Sequence, residues 1–454
     1  MALPDLHSRP SLGETDSTAA DLAGPVALAG PAGSDAAFDY DVAIVGLGYV
    51  GLPTALAFRE AGYRVLGHDV STRRLEVIRS EAADLLPDDR ARLSRALHDP
   101  AFALTAEPAD IRRAAAVIIA VPTPVDEHLV PDLGILRNAC RTVVTQTVPG
   151  QLLMLTSTTY AGSTRELLAV PLAERGLIAG TDIHVAFSPE RINPGVADFS
   201  QEDVPRVVGG VTAACSERAR SLLAKYVPRV HVVPSPEAAE MTKLLENTFR
   251  AVNIALANEF SDICTLLGIP VMDVIDAADT KPFGFMRFTP GPGVGGHCIP
   301  CDPHYLLWQL KRSRVSAPVI EQAMQDIAGR PGRVVDRIRA LLSDRGLGLA
   351  GSKVLVAGVA YKPNVEDVRE SPALEIIAAL RDAGAVVGYI DPLVPTLRGH
   401  GLPLDTITAP ADFQADVALL HTRHPGVPLE WLDQVPLVLD ATYQLRGHHT
   451  AVPL

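Results

Sequence analysis

The run Asp41-Val42-Ala43-Ile44-Val45-Gly46-Leu47-Gly48-Tyr49-Val50-Gly51 decides the fold of this chain. A short apolar strand pattern leads into glycines spaced GxGxxG, and a helical pattern follows through Ala61. A second strand pattern over residues 64–68 ends at Asp69, eighteen residues past Gly51. Strand, glycine turn, helix, strand and acid in this order predict a βαβ unit that binds a dinucleotide. A glycine-rich turn without a ligand is the alternative interpretation.

The three glycines have separate tasks in such a unit. Gly46 makes the tight turn, Gly48 lets a pyrophosphate approach the backbone, and Gly51 lets the helix pack on the strand. Asp69 is expected to accept hydrogen bonds from ribose hydroxyls and to repel a 2′-phosphate, which favours NAD over NADP. Arg73 nearby weakens that preference.

Further strand patterns over 116–121, 152–156 and 184–187 continue the first domain to about Val232. The loops after parallel strands lie at the ligand-binding edge of a doubly wound sheet, and two of them carry Thr123 and Thr158. The predicted cofactor-binding residues are Gly46, Gly48, Tyr49, Val50, Gly51, Asp69, Arg73, Thr123, Thr158 and, from the C-terminal part of the chain, Arg369.

Length and composition limit the remaining possibilities. A chain of 454 residues predicts two or three domains. The net charge of -13 argues against a nucleic-acid-binding surface, and no apolar run has membrane-spanning length. The five cysteines are an odd, sparse set rather than a disulfide framework. With no signal-peptide pattern, we expect a cytoplasmic protein, and residues 1–38 read as a disordered tail.

A long helix follows the first domain. Ser235 is a good N-cap, Pro236 suits the first turn, and nothing breaks the pattern before Gly268, so the helix is expected to span roughly 48 Å. Lys243 and Asn247 lie one turn apart, on a different face of the helix from its stripe of apolar residues. The stripe comprises Met241, Leu244, Leu245, Phe249, Val252, Leu256, Phe260, Ile263 and Leu267. We interpret this helix as a spine between two α/β domains and as the surface of a homodimer.

The C-terminal part repeats the N-terminal pattern. Residues 61–69 have a counterpart in 383–391, where helix end, strand and terminal Asp recur without the GxGxxG run. The turn is lengthened instead over 361–372, and Lys362 and Arg369 there suit the phosphates of a different nucleotide. A structural domain with a charged loop is the alternative.

These patterns predict an α/β fold with two Rossmann-like, doubly wound domains joined by a long central helix. The expected boundaries are a tail over 1–38, a dinucleotide-binding domain over 39–232, a central helical domain over 233–330 and a second nucleotide-binding domain over 331–454.

The run from Gly291 to His304 combines four glycines with Cys298 and Cys301. One interpretation is a thioredoxin-type C-x-x-C redox pair. A second is a metal site formed by His297, Cys298, Cys301 and His304, although no second cluster completes a structural zinc shell. A third is a catalytic thiolate that attacks an aldehyde, and a fourth is an inert buried cysteine. The thiolate interpretation alone uses the NAD domain, and no metal is predicted.

From about Tyr40 to its end, the chain resembles the NAD-dependent UDP-glucose/GDP-mannose (nucleotide-sugar) 6-dehydrogenases. The resemblance rests on the runs that begin at Val45, Glu246, Gly295 and Arg369: VGLGYVGLP, ENTFRAVN, GGHCIP and RESPA. It implies oxidation of a sugar C6 alcohol to a carboxylate through a cysteine thioester, with two NAD reduced. The enzymes of this family are commonly dimers built on the central helix.

The resemblance also implies residue roles. Cys298 looks like the nucleophile, Lys243 and Asn247 like the pair that steadies the oxyanion, Asp302 like the residue that positions water or moves protons, and Glu190 like the carboxylate near the hydrolytic water. The residues expected to contact the substrate are Glu190, Arg191, Lys243, Asn247, Arg250, Arg287, Phe288, Gly295 and Lys362.

The motifs around Cys298 are most similar to those of enzymes acting on UDP-N-acetylglucosamine or UDP-N-acetylmannosamine. Asn193, Cys301 and His304 depart from that pattern and leave UDP-glucose or dTDP-glucose as alternatives. The expected setting is polysaccharide or antibiotic sugar biosynthesis. A binding protein that kept the fold and lost turnover is the alternative of another class, and the intact set of Cys298, Lys243, Asn247 and Asp302 argues against it.

Overall fold

The computed structural model describes residues 38–85, 87–191, 203–296 and 298–454. The predicted tail up to residue 37, Asn193 and His297 therefore lie outside the described residues. Within the described part, no helix is long and apolar enough to cross a membrane.

The N-terminal sheet has the strand order β3-β2-β1-β4-β5-β6-β7-β8. Its strands are β1 (Tyr40–Val45), β2 (Val65–His68), β3 (Phe102–Thr105), β4 (Ala114–Ile119), β5 (Leu152–Leu155), β6 (His184–Phe187), β7 (Arg206–Gly210) and β8 (Val230–Val233). The first six run parallel, while β7 pairs antiparallel with β6. The six strands in the order β3-β2-β1-β4-β5-β6 therefore match the Rossmann arrangement. The carboxyl ends of β1, β2, β4 and β5 lie on one edge of the sheet.

Helices cover both faces of this sheet, and each face has its own apolar core. They are α1 (Gly51–Glu60), α2 (Thr72–Arg79), α3 (Pro87–Leu97), α4 (Gly134–Gln146), α5 (Val170–Glu174) and α6 (Ala213–Leu223). A π-helical turn over Arg165–Ala169 leads into α5. Strands β2, β5 and β7 are buried along their whole length, as strands between two helical layers are expected to be.

The central helix α7 spans Pro236–Leu267, as the sequence predicts. The Ser235 hydroxyl accepts a hydrogen bond from the Ala238 N–H at 3.3 Å, and Gly268 ends the helix with a left-handed φ of 69°. Three helices follow: α8 (Val271–Asp279), α9 (Asp302–Ser313) and α10 (Pro318–Ser343). The loop between α8 and α9 carries Cys298.

The second sheet is parallel throughout, with the order β10-β9-β11-β12-β13. It consists of β9 (Lys353–Ala357), β10 (Val386–Ile390), β11 (Val417–Leu420), β12 (Val438–Asp440) and β13 (Ala451–Pro453), with α11 (Pro372–Asp382) and α12 (Pro410–Phe413). The predicted α/β fold with two Rossmann-like sheets is confirmed.

The internal repeat extends to hydrogen bonding. The Asp69 carboxylate accepts from the Leu47 N–H at 2.9 Å, and in the second domain Asp391 accepts from the Val359 N–H at 2.8 Å. The copies differ in exposure, because Asp391 is fully buried and lies 3.1 Å from His424 Nε2. Asp391 therefore stabilises the turn that follows β9 from a buried position.

Candidate active site

Cys298 lies where α7 and the start of α9 meet. It is exposed, whereas the other four cysteines are buried. On α7, Lys243 and Asn247 turn inward with 7% and 4% of their surface exposed, and Asp302 at the start of α9 is 3% exposed. The Asn247 amide donates a short hydrogen bond to the Asp302 carboxylate. The structure thus brings the predicted quartet together at one exposed sulfur.

The electrostatics of the cluster favour a protonated thiol. The protein atoms crowded around Cys298 raise its pKa, the Asp302 charge raises it further, and Lys243 opposes both effects. Burial raises the pKa of Asp302 to about 6, although Lys243 and the Asn247 hydrogen bond pull it down. Near pH 7 the site therefore holds a thiol beside a carboxylate that can accept its proton.

The glycines before Cys298 seat the loop against the second Rossmann-like domain. A Cβ on Gly295 would lie 2.6 Å from the Glu370 carbonyl oxygen, and one on Gly296, where φ is 81°, would lie 2.9 Å from the Tyr361 ring. The Gly296 N–H also donates to the Arg369 carbonyl at 3.2 Å. These glycines are needed because another part of the chain approaches them, and contact of Gly295 with substrate stays a prediction.

The predicted cofactor turn has the geometry that a pyrophosphate requires. A Cβ on Gly51 would lie 1.8 Å from the Gly46 carbonyl oxygen, and Gly46 has a left-handed φ of 92°. A Cβ on Gly48 would meet nothing within 4 Å, so that face of the turn is open. Arg73 is exposed, whereas Arg74 donates from Nε to the Leu47 carbonyl at 2.9 Å. The guanidinium on this turn is therefore that of Arg74, which the sequence reasoning missed.

Arg369 joins the second domain to the glycine turn. Its guanidinium lies 4.2 Å from the centroid of the Tyr49 ring and forms a bidentate ion pair with Asp367. Thr123 and Thr158, both half-buried, follow β4 and β5 on the same edge of the sheet. Thr123 and Thr158 thus lie on the edge of the sheet where the glycine turn lies, and Arg369 packs against that turn.

Glu190 is held by a residue that the sequence reasoning missed. Arg206 on β7 is 3% exposed and donates to a Glu190 carboxylate oxygen at 2.6 Å. The Arg191 N–H donates to the same oxygen at 2.7 Å, while the Arg191 side chain pairs with Glu246 on α7. The carboxylate of Glu190 is therefore fixed in place.

Two further predicted substrate contacts are found beside the cysteine. Burial and the nearby Arg250 charge lower the pKa of Lys362 to about 8, and the charge of Arg250 also acts on the Cys298 thiol. These cations can hold phosphate groups. The ion-pair partners of Arg287, Asp276 at 2.7 Å and Asp279 at 3.6 Å, belong to α8 rather than to the cluster. Phe288 packs edge to face on Phe249 of α7.

The environment of Cys301 opposes a redox pair. Cys301 is 2% exposed, and burial, with the charges of Asp302 and Glu370, raises its pKa to about 12. Both cysteines of the C-x-x-C run are free thiols. Because thiol–disulfide exchange requires a thiolate, this environment disfavours the thioredoxin-type interpretation.

Comparison with known proteins finds matches over most of the described chain. Three models of the UDP-glucose/GDP-mannose dehydrogenase family match: the NAD binding domain over residues 40–227, the central domain over 237–326 and the UDP binding domain over 355–444.

Individual relatives match over most of their length. UDP-N-acetyl-D-mannosamine dehydrogenase of Pyrococcus horikoshii is 34% identical over 389 residues, which is 85% of this chain and 89% of the relative. NDP-N-acetyl-D-galactosaminuronic acid dehydrogenase of Ralstonia nicotianae is 33% identical over 86% of this chain and 93% of its own. The solved structure of a UDP-D-ManNAc dehydrogenase from Pyrococcus horikoshii superposes with a TM-score of 0.83 and 31% identity, covering 91% of this chain and 98% of that one.

Proposed function

The chain belongs to the UDP-glucose/GDP-mannose dehydrogenase family and is an NAD-dependent nucleotide-sugar dehydrogenase, and from this premise we propose that it oxidises C6 of a UDP-N-acetylhexosamine to a carboxylate. The observation that carries the proposal is the exposed Cys298 thiol beside the buried Lys243, Asn247 and Asp302. The proposed domains are a dinucleotide-binding domain over 39–232, a central helical domain over 233–330 and a second nucleotide-binding domain over 331–454.

The residues of the glycine turn fit NAD. The open face of Gly48 would take the pyrophosphate, and Asp69, which is partly exposed at the end of β2, would bind the adenosine ribose. Bound there, NAD supplies a hydride acceptor for each of the two oxidations.

The protein side chains divide the remaining chemistry. The first oxidation turns the C6 alcohol into an aldehyde. The Cys298 sulfur then bonds to the aldehyde carbon while its proton passes to Asp302, whose pKa of about 6 leaves it ionised at pH 7. Lys243 and the second N–H of the Asn247 amide stabilise the resulting oxyanion, because the first N–H already binds Asp302.

Hydrolysis completes the reaction. The thiohemiacetal on Cys298 loses a hydride and becomes a thioester. Water, held near Glu190, adds to the acyl carbon, and the carbon–sulfur bond breaks to release the carboxylate and return the thiol. Overall, one alcohol, one water and two NAD give one carboxylic acid, two NADH and two protons.

Two observations support the UDP-N-acetylhexosamine substrate. The run GGHCIP at Gly295 is similar to that of enzymes acting on such sugars, and the relatives reported above are named for N-acetylated sugars. Arg250 and Lys362 supply positive charge beside Cys298, where the diphosphate of a nucleotide sugar needs it.

We also propose a homodimer through α7, in the cytoplasm. Most of the predicted apolar stripe is exposed: Met241, Leu245, Phe249, Leu256, Phe260, Ile263 and Leu267. Leu244, in contrast, is fully buried in the core of the first domain. An apolar face this long is typical of an interface.

The proposed cytoplasmic location is supported by the five unpaired cysteines, which suit a reducing compartment.

A panel of nucleotide sugars tests the proposal. The protein is mixed with NAD and UDP-N-acetylmannosamine, UDP-N-acetylglucosamine, UDP-glucose or dTDP-glucose, and NADH absorbance is followed. We expect two NADH per sugar and a carboxylate product with a UDP-N-acetylhexosamine. A preference for either glucose nucleotide would overturn the substrate assignment, and no turnover with any member would favour the binding-protein alternative.

The variant Cys298→Ser tests the mechanism. Serine lacks thiolate nucleophilicity and an ester is hydrolysed less readily than a thioester, so we expect at most one NADH per sugar or an acyl adduct visible by mass spectrometry. Cys140→Ser, which changes a buried cysteine in the first domain, is the control. Two NADH per sugar at the wild-type rate from Cys298→Ser would exclude this sulfur as the nucleophile.

A further inference from the structure

The segment that follows β5 is held by a buried carboxylate of the central helix. Glu240 on α7 is 1% exposed and accepts four hydrogen bonds from three consecutive residues. They come from the Gly162 N–H at 2.5 Å, the Ser163 hydroxyl at 2.8 Å, the Thr164 N–H at 2.8 Å and the Thr164 hydroxyl at 2.7 Å. Helical structure begins at Ser163, so the carboxylate also lies at the positive end of a helix.

The same segment is held from α9. The Ala161 N–H donates to Gln309 Oε1 at 3.1 Å, and Gln309 Nε2 donates back to the Ala161 carbonyl at 2.7 Å. Beside this pair, the rings of Tyr160 and Trp308 meet edge to face at 5.5 Å. Residues 160–164 are thus attached to two helices that are distant in sequence.

Both of these helices carry the predicted chemistry. Lys243 and Asn247 lie three and seven residues after Glu240, on the same buried face of α7. Asp302 begins α9, seven residues before Gln309. The segment held between them begins two residues after Thr158, at the edge where the cofactor is expected. The contacts therefore join the predicted cofactor edge of the sheet to the two helices that carry Lys243, Asn247 and Asp302.

We propose that Glu240 and Gln309 are positioning residues that hold the Thr158 loop in register with Lys243, Asn247 and Asp302. This inference rests on the proposed function of those residues. Burying a carboxylate between two elements costs desolvation free energy, and apolar contacts of similar volume are often as stable. Directional hydrogen bonds specify one arrangement, which hydride transfer requires and apolar packing does not.

The variants are Glu240→Gln and Gln309→Met. Glutamine at position 240 replaces an acceptor oxygen by an N–H₂ group that faces N–H and O–H donors, and methionine keeps the volume of Gln309 without its hydrogen bonds. Glu237→Gln is the matched control, because Glu237 joins the same two elements through a partly exposed ion pair with Arg165 at 2.6 Å.

Two readouts are measured. Hydrogen exchange of the peptide covering residues 158–164, without cofactor, reports whether the segment is released. Steady-state kinetics with C6-deuterated sugar report its consequence. We expect faster exchange, a kcat lowered by about 100-fold with the KM for NAD changed less than about threefold, and a larger isotope effect, because misplacement of about 1 Å costs that much in rate. Glu237→Gln should match the wild type.

Faster exchange with an unchanged kcat and isotope effect would show a purely structural contact and overturn the proposal. Unchanged exchange in both variants would overturn it as well. If Glu240→Gln does not fold, Gln309→Met decides alone. Wild-type protein inactive on every nucleotide sugar would refute the proposed function, and the exchange result would still report whether the contacts hold the segment.

Discussion

The pKa of the Cys298 thiol is raised by burial and shifted in opposite directions by the charges around it. Asp302 raises the pKa of the thiol and Lys243 lowers it, so the two buried residues act in opposite directions on one exposed sulfur. A thiol in this state is protected from oxidation until substrate arrives, because the thiolate is the reactive form. The same carboxylate that keeps the thiol protonated is placed to receive its proton.

Alkylation of Cys298 should therefore respond to Asp302. We expect Asp302→Asn, which keeps an acceptor oxygen for Asn247, to lower the thiol pKa and move the pH midpoint of iodoacetamide modification downward. Lys243→Met should move it upward. The rate is measured by mass spectrometry of the peptide that contains residue 298. An unchanged midpoint in Asp302→Asn would contradict the assigned interaction.

Activity should also fall at low pH. The folded-state pKa of Asp302, about 6, lies above its ordinary value of 3.8. The contribution of this carboxyl to stability is thus present below about pH 4 and lost as the pH rises through 6, a cost of about 3 kcal/mol at neutral pH. We expect kcat/KM for the nucleotide sugar to fall about tenfold per pH unit below 6. A flat profile between pH 5 and 7 would exclude Asp302 as the proton acceptor.

At the scale of elements, the loop between α8 and α9 depends on its glycines for contact with the second Rossmann-like domain. Gly295 and Gly296 leave room for Glu370 and Tyr361, and the Arg369 carbonyl binds the loop. A shift of these residues of the second domain would therefore displace the backbone next to the predicted nucleophile.

The substitution Gly295→Ala tests that dependence. The new Cβ would lie 2.6 Å from a backbone oxygen, so the loop must shift, and we expect a loss of about 1–3 kcal/mol in free energy of unfolding and at least a tenfold lower kcat. Gly291→Ala is the control, since a Cβ there would meet nothing within 4 Å. Urea denaturation and NADH production are measured. Equal behaviour of the two variants would show that close approach at Gly295 does not matter.

At the scale of the whole molecule, α7 has two distinct faces. One carries Glu240, Lys243 and Asn247 into the protein, and the other leaves apolar side chains such as Leu245 and Phe260 in solvent. In the proposed dimer, the apolar face that a second copy would cover and the predicted chemical face belong to the same helix.

The dimer is tested by charge on the exposed face. We expect the wild type to elute with the mass of a dimer and Leu245→Asp to elute as a monomer, because an interface cannot bury an unpaired carboxylate. The measurement is size-exclusion chromatography with light scattering. Leu347→Asp, at an exposed leucine outside α7, should leave the mass unchanged. A monomeric wild type, or a dimer that survives Leu245→Asp, would contradict the proposed interface.

Sequence alone determined the parts of this protein that obey local rules. The limits of α7 follow from cap chemistry at Ser235 and Gly268, and the glycine turn follows from steric needs within one βαβ unit. The family resemblance predicts the quartet around Cys298, because the motifs that carry Asn247 and Cys298 are short and specific.

Only the tertiary structure decided which residues support that chemistry. Arg206 binds Glu190 across the two antiparallel strands, Glu240 binds residues 76 to 78 positions away, and Gly295 meets Glu370 of the second domain. Such partners leave no local pattern, since a buried carboxylate or a crowded glycine is defined by what folding brings against it. The exposed face of α7 was equally undecided, because an apolar stripe at helical spacing looks the same whether the protein's own core or a second copy covers it.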